Sequence, residues 1–568
     1  MFGKLFERKN KEKNHINNNV NNNVSGEKTI FLKNKKRLYG LIPIAFVLMA
    51  IAASPNIKVL YSRCPCNKIK NKKIRQFILN NKTKALDSCL PKAGNFEYYN
   101  SIYRQIINTT ENLERNKYIN GKHKHKIFSL LKKGRLYELR EKINTITLSV
   151  VNTDSISKKL FLTAMVNDLL FNENEAERLY LKAIENNKFD SKYYMYLAKF
   201  YQKSCNPNEA INVLLKVSSV LNNNNDRNDI DKFYLFLGDL YYGVKDYNNA
   251  MVYYTNSLIN IDAKNKDHDK FGVIMKIGDI MSIRGNNFEA INHYKYALSL
   301  KNRKVSPENN IILLLKLSNV YYKYGNYVNG LKFAKSASQK AKLIADNELL
   351  YSKAKYLECL NYEYLKETVK AKKACDVALK LSEKYIAKNS NDVNGYVNIA
   401  ELLDFSYFIK NPKLAKMYLN KALSLTGRNI FTRLSIMEKI ASIDSYSSEF
   451  TKVPEQYKKI HNMYRKMDMK PDCCSFILNA FVKERMGIST TEYEYLKAEV
   501  ELKDRYSQLF TLYCYMSDNY KRQGNLESAL KYAKKAVDVG NYIYRYDHHY
   551  IKYATDKVEA LNEIINKK

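Results

Sequence analysis

Tryptophan is absent from the 568 residues, glycine and proline number only 18 and 9, and acidic residues fall well short of basic ones, 57 against 95. Each shortage excludes something. So few glycines and prolines leave little room for elaborate loops and point to long helices. No stretch alternates apolar and polar residues with the period of two that strands need, and no strand–helix–strand rhythm recurs. The phosphate-binding Gly-rich loop, the Gly-x-Ser-x-Gly elbow, the His-Glu-x2-His pair and the dinucleotide fingerprint are all missing. The sequence is therefore not read as an enzyme. No catalytic residue, no cofactor and no metal ligand is expected.

What is present is repetition. A small residue recurs at Ala210, Ala250, Ala290 and Gly330, a period of 40. Around it, Leu197-Ala198 is followed by Tyr201; Leu237-Gly238 by Tyr241 and Tyr254; Ile277-Gly278 by Met281, Gly285, Tyr294 and Ala297; and Leu317-Ser318 by Tyr321, Gly325 and Ala337. A last copy holds Tyr513, Ser517, Tyr520, Gly524, Ala529, Ala533 and Ala536, and weaker copies surround Ala176, Ala371 and Ala415. A fixed period of this length marks stacked supersecondary units.

This pattern resembles the tetratricopeptide repeat (TPR) family, which reads aromatic-x2-Leu-Gly-x2-Tyr, then Gly, then Ala-x3-Phe-x2-Ala over about 34 residues. The resemblance implies an all-α, right-handed solenoid of helix hairpins. The repeat-defining residues are Gly238, Tyr241, Ala250, Gly278, Gly285, Ala290, Tyr321, Gly325, Tyr520, Gly524 and Ala529. Gly238 and Gly278 fit where one helix presses on the next, with Tyr254 and Tyr294 packing back. Gly285, Gly325 and Gly524 fall at turns between helices. The chain departs from the pattern in its longer period, in lacking the usual tryptophan, and near Lys410-Asn411-Pro412, where the spacing of Ala371 and Ala415 stretches to 44. Residues 96–425 read as the solenoid, with clear repeats at 190–340, 426–507 as divergent helical hairpins, and 508–568 as a C-terminal repeat with a capping helix.

The resemblance also implies a groove lined by the first helix of each repeat. The candidate contacts are Met195, Lys199, Asp239, Tyr242, Asp279, Asn319 and Tyr322. Chaperone-binding members of the family hold a terminal carboxylate with a Lys-Asn clamp. Asn319 stands at an Asn position, but Leu315 occupies the place of the Lys, so that clamp is not assembled. The partners implied are other proteins.

The N-terminus reads differently. Residues 1–37 form a basic tail whose HINNNVNNNVSGEKT stretch is low in complexity and reads as disordered. Leu38–Ala53 is a sixteen-residue run without a charge, and Ser54-Pro55 ends it. Segment 38–54 is read as one transmembrane helix, a signal anchor, slightly short but flanked by lysines that can snorkel. A cleavable signal peptide ending near Ala52 and a buried helix remain alternatives. Residues 55–95 read as a basic juxtamembrane linker. Lys/Arg lie on both sides of the apolar run, so the side of the membrane carrying the solenoid stays open. Residues 1–150 hold 31 Lys/Arg against 9 Asp/Glu, a balance that attracts an anionic membrane surface. Nucleic acid is not an expected partner, because no recognition helix, zinc finger or RNP signature accompanies the charge.

The remaining chemistry is sparse. Nine cysteines, at 64, 66, 89, 205, 359, 375, 473, 474 and 514, are odd in number and irregular in spacing. Cys205, Cys375 and Cys514 fall where a repeat accepts a small apolar residue and are expected as core thiols. Lys122-His123-Lys124-His125-Lys126 is expected as a solvated turn, and His548-His549 as structural or exposed residues of the last helix. These features lead to a membrane-anchored scaffold that gathers partner proteins, within a translocation or envelope-assembly complex. A secreted or soluble regulator released by cleavage near Ala52 is the alternative. An active centre could lie only in residues 430–507.

Overall fold

The computed structural model describes residues 96–566, apart from positions 205, 224–229, 264–266, 301–304, 345, 428, 468, 470–472, 488–491 and 546. The basic tail, the apolar segment 38–54 and the linker 55–95 lie outside the described residues. Among the described residues there are helices and no strand. No helix among them is long and apolar enough to cross a membrane.

Helices α1 (Phe96–Arg115), α2 (Gly121–Lys132) and α3 (Leu136–Thr145) lead into a run of antiparallel hairpins. The first five are α4/α5 (Thr153–Leu169, Glu173–Asn186), α6/α7 (Ser191–Lys203, Pro207–Asn223), α8/α9 (Ile230–Gly243, Tyr247–Ala263), α10/α11 (Asp267–Arg284, Asn287–Ser299) and α12/α13 (Pro307–Tyr324, Tyr327–Lys342). Five more follow: α14/α15 (Glu348–Tyr364, Thr368–Lys388), α16/α17 (Val393–Phe405, Pro412–Leu425), α18/α19 (Ile430–Ser445, Val453–Lys466), α20/α21 (Cys473–Arg485, Glu492–Glu501) and α22/α23 (Tyr506–Arg522, Leu526–Ile543). Helix α24 (His549–Asn566) ends the stack. The stretch 430–501 is thus two further hairpins. The Lys122–Lys126 segment is not a turn; it opens α2, because Asn120 accepts the His123 amide at 3.0 Å and caps the helix.

Two central hairpins, α8/α9 and α10/α11, are each set by one close crossing. A Cβ on Gly238 would lie 2.6 Å from the Tyr254 ring, and one on Gly278 2.6 Å from the Tyr294 ring. Both glycines sit sixteen residues before their tyrosine, so a missing side chain on the first helix receives a large one from the second. Ala250 and Ala290 are fully buried on the second helix. Three of the turns follow from Gly-Asn dipeptides. Gly285, Gly325 and Gly524 take φ of 86°, 91° and 79°. Asn286, Asn326 and Asn525 then cap the second helix by accepting the amides of Glu289, Asn329 and Ser528 at 3.2, 3.2 and 3.0 Å. The stretched spacing before Ala415 is a longer turn, residues 406–411, held where Glu363 Oε1 accepts from Ser406 Oγ at 3.1 Å and the Tyr407 amide at 3.2 Å.

First helices of neighbouring repeats also touch one another, α12 with α14, α14 with α16, α18 with α20 and α20 with α22, which makes them the inner wall of a curved stack. The curvature is large enough for the coil to return on itself. Asn208 donates to the Met467 carbonyl at 3.3 Å, Asn248 to Asp504 at 3.0 Å, Asn286 to the Tyr542 hydroxyl at 3.1 Å and Asn287 to the Ile543 carbonyl at 3.1 Å. Three of these pairs are separated by 256 residues and one by 259. Lys245 reaches the Tyr464 hydroxyl at 2.8 Å, the Arg505 guanidinium lies 4.5 Å from the Tyr247 ring centre, and the Arg545 amide donates to the Tyr324 carbonyl at 3.0 Å. Turns within the early hairpins therefore rest on turns between the late ones, forming a seam from residue 208 to residue 364. His548 closes it. This ring is buried, stacks on Tyr544 with centres 4.3 Å apart, and approaches Tyr327, while His549 stacks on Tyr364 at 5.3 Å.

A second long-range tie lies at the other end. Lys203 and Asp168 pair at 2.7 Å with side chains 5% and 0% exposed, and the Tyr98 hydroxyl donates to the same carboxylate. A buried pair of this kind is worth little over an apolar substitute, but losing one partner strands the other, at roughly 3–5 kcal/mol. It fixes α1 against α4 and α6.

Two outcomes follow for the seam. Alanine at Gly524, whose Cβ would meet nothing within 4 Å, should cost about 1 kcal/mol through its left-handed backbone alone. Alanine at Gly285 should cost at least about 1 kcal/mol more, because its Cβ would lie 2.8 Å from the Ser507 backbone nitrogen. Denaturant melts of the two variants measure the difference. Burial, and then the neighbouring His549, hold the His548 pKa down at about 3 against 6.5 for the free side chain. Between these values the unfolded chain binds the proton and the folded chain does not. Stability should therefore fall as pH drops from about 6.5 towards 3, by up to about 2 kcal/mol between pH 7 and pH 5. His548→Phe keeps the stacking and should flatten that limb of the melting profile.

Candidate peptide-binding surface

The inner wall carries a repeated polar cluster. Asp239 Oδ1 accepts from the Tyr254 hydroxyl at 2.7 Å and from Lys276 of the next repeat at 2.5 Å. Forty residues on, Asp279 Oδ1 accepts from Tyr294 at 2.5 Å and from Lys316 at 2.6 Å. The tyrosine that fills the glycine gap thus also satisfies a carboxylate, and the lysine links consecutive first helices. Desolvation, then Asp239, pushes the Tyr254 pKa far above the ordinary phenol value, and Tyr294 behaves alike toward Asp279. Two of the candidate groove residues, Asp239 and Asp279, are thereby committed to the fold's own cations.

The others remain available. Met195 is half-buried beside the first core cluster. Lys199 sits 4.7 Å from the Tyr196 ring centre and 5.9 Å from that of Phe236, and burial lowers its pKa. Tyr242 and Tyr322 are half-buried, resting edge-on against Tyr247 at 5.5 Å and Tyr327 at 5.9 Å. Asn319 is half-buried on α12, three residues before Tyr322. Leu315, at the place of the clamp lysine, is 8% exposed and belongs to the core.

One contact was not read from the sequence. Lys323 is open to solvent, yet desolvation followed by the nearby Lys316 ammonium lowers its pKa. Lys323 follows Tyr322 in the last turn of α12, one of the helices of the inner wall. Its signal was present, one residue after Tyr322, but it depends on the coil closing around it. Further along the wall, Lys439 pairs with Glu401 at 2.7 Å, and desolvation raises the Asp404 pKa against the pull of Lys410 and Lys439.

Repeats fixed by a sixteen-residue Gly–Tyr crossing, Gly-Asn turns and touching first helices decide the class. The described residues form a solenoid of helix hairpins, the fold that the tetratricopeptide resemblance implies. No known family model matches the chain, and no curated protein is similar to it in sequence. Among solved structures it is similar to the apo form of RapI, at 16% identity over 48% of this chain and 98% of that one, with a TM-score of 0.32. It is similar to a Rap protein complexed with competence and sporulation factor, at 12% identity over 66% and 98% and a TM-score of 0.36. PilF of Pseudomonas aeruginosa is similar at 16% identity over 42% and 99%, with a TM-score of 0.30. The description of the fold stands on the chain's own geometry.

The stretch 430–507 holds a Ser–His contact, His461 Nε2 to Ser475 Oγ at 2.8 Å. Ser475 is 2% exposed, so no substrate carbonyl can reach its oxygen. Cys375 is not a free core thiol: it is bonded to Cys359 across α14 and α15. Cys514 is a buried free thiol, its pKa pushed up to about 11 by burial.

The repeated cluster can be checked by a double-mutant cycle. Asp279→Asn and Lys316→Met should each lower stability, with a coupling energy of about 1 kcal/mol, since both side chains keep partial access to water. Urea melts of the two single variants and the double variant measure it. Additive effects would show that the ladder does not join the repeats.

Proposed function

We propose that this chain is a scaffold that holds a segment of a partner protein along its inner wall, and that segment 38–54 anchors it in a membrane. One observation supports the first part: Lys199, Asn319, Tyr322 and Lys323 lie on the first helices that form the inner wall, and desolvation lowers the pKa of both lysines. A carboxylate from an incoming peptide would relieve both. Half-buried tyrosines beside them offer flat surface at small entropic cost. Extended peptides and amphipathic helices are the two shapes such a groove accepts. Asp239 and Asp279, being paired, act as walls of the groove and not as its acidic contacts.

The anchor is supported by the uninterrupted apolar run Leu38–Ala53 and by the basic residues around it, which suit an anionic membrane surface. A role within a translocation or envelope-assembly complex agrees with an anchored solenoid. Release after cleavage near Ala52 is the second reading, favoured by the small residues Ala50 and Ala52 around Ile51.

A photo-crosslinking amino acid placed at Tyr322 of the full-length protein in its own cells should capture discrete protein partners. The same group at Val252, which is exposed on the second helix α9, should not. Equal capture at both positions, or capture at neither, would sink the groove. Alkaline carbonate extraction of the same cells should leave the full-length chain in the membrane pellet. A soluble chain shorter by about 52 residues would favour the secreted regulator.

A further inference from the structure

In four successive hairpins, buried residues sixteen apart occupy equivalent places on the two helices. In α8/α9 they are Gly238 and Tyr254, and in α10/α11 Gly278 and Tyr294. In α12/α13 the same two places hold Ser318 and Ala334, both fully buried. In α14/α15 they hold Cys359 and Cys375, again sixteen residues apart, both 0% exposed, with Cα atoms 5.3 Å apart and the two sulfurs bonded. Two cysteines therefore occupy a facing pair of the repeat that a disulfide can span.

We propose that Cys359 and Cys375 are oxidised as this hairpin folds, and hence that the superhelix matures in an oxidising compartment. The chemical setting supports a permanent bond over a cycling one. Both sulfurs are sealed from solvent. The polar groups against them are Ser406 Oγ, 2.9 Å from Cys375 Sγ, and the Glu363 carboxyl that accepts from that hydroxyl. Neither is a cation that would stabilise a thiolate, so the folded site is a poor place for exchange. Oxidation belongs to the stage before α14 and α15 pack. One cysteine thiolate attacks a donor disulfide and releases one donor sulfur as thiolate. The second cysteine thiolate then displaces the other donor sulfur. The donor leaves reduced by two electrons, and its sulfurs take up the two protons lost from the cysteines. Bonds of this kind persist in secreted, periplasmic and lumenal proteins and are rare among reducing thiols. Taken with the anchor of the proposed function, on which this clause alone rests, the solenoid lies on the non-cytosolic side.

The test reads thiol state directly and does not depend on membrane attachment or partner capture. Full-length protein is acid-quenched from its own cells, denatured, blocked with iodoacetamide, reduced and labelled with N-ethylmaleimide. Mass spectrometry should find Cys359 and Cys375 carrying the maleimide and Cys514 carrying the acetamide. Acetamide on both Cys359 and Cys375 overturns the proposal. A second arm uses purified protein. Reductant should lower the wild-type Tm by about 3 °C or more, and should leave the variant Cys359→Ser/Cys375→Ala, which copies the Ser318/Ala334 pair, unshifted. Equal responses in the two proteins overturn it. So does stoichiometric zinc that is present in the wild type and missing from the variant, because Cys359, Cys375 and Glu363 lie close enough to share an ion if both sulfurs are free thiolates.

Discussion

Everything in this fold depends on how closely two helices of one hairpin can approach. The facing pair sixteen residues apart sets that distance in four successive hairpins, which meet the requirement in three chemically different ways. Glycine opposite tyrosine works by complementary volume, with the ring entering the space a side chain would fill. Serine opposite alanine works by mutual smallness. Cysteine opposite cysteine works by a covalent bond. A hairpin cannot bury its apolar stripe alone, so each solution has value only because the next hairpin covers what it leaves open.

The tyrosines show how one residue type can serve two demands. With 47 of them, their frequency could be dismissed as compositional drift. At 254 and 294 the ring fills the crossing while the hydroxyl donates to an aspartate that also receives a lysine from the next repeat. Phenylalanine would pack there and leave the carboxylate short of a donor. The same arrangement absorbs part of the basic excess, because lysines of the inner wall neutralise wall aspartates and do not present a uniform positive face. The large unbalanced excess is concentrated before residue 150.

Repetition, helical class and the crossing residues were legible because they are local: a period, a small residue opposite a large one, a Gly-Asn turn. The partners of Asp239 and Asp279 were not, since a lysine 37 residues further along the chain shows no mark of its role until two first helices lie side by side. The seam was less legible still. It exists because small rotations between hairpins accumulate until residues about 256 apart meet, and no pattern in 568 residues encodes that sum. The buried pair of Lys203 and Asp168 was missed because charges in helices are ordinarily solvated. The bond between Cys359 and Cys375 was missed because an irregular set of nine cysteines hides the sixteen-residue spacing that matters.

A simple solenoid communicates only between neighbours, so a strain at one repeat dies out within a few others. The seam removes that limit here. The last turn of α12 presents Tyr322 and Lys323 on the inner wall, while the next residues, Tyr324 and Gly325, meet Arg545 and His548 of the returning coil. One turn of helix is thus both groove wall and coil contact. Groove wall and coil contact therefore lie within four consecutive residues, so a ligand in the proposed groove that shifted this turn would also shift the carbonyl that accepts the Arg545 amide. Linkage would then make the effect reciprocal, with closure of the coil favouring the ligand as much as the ligand favours closure.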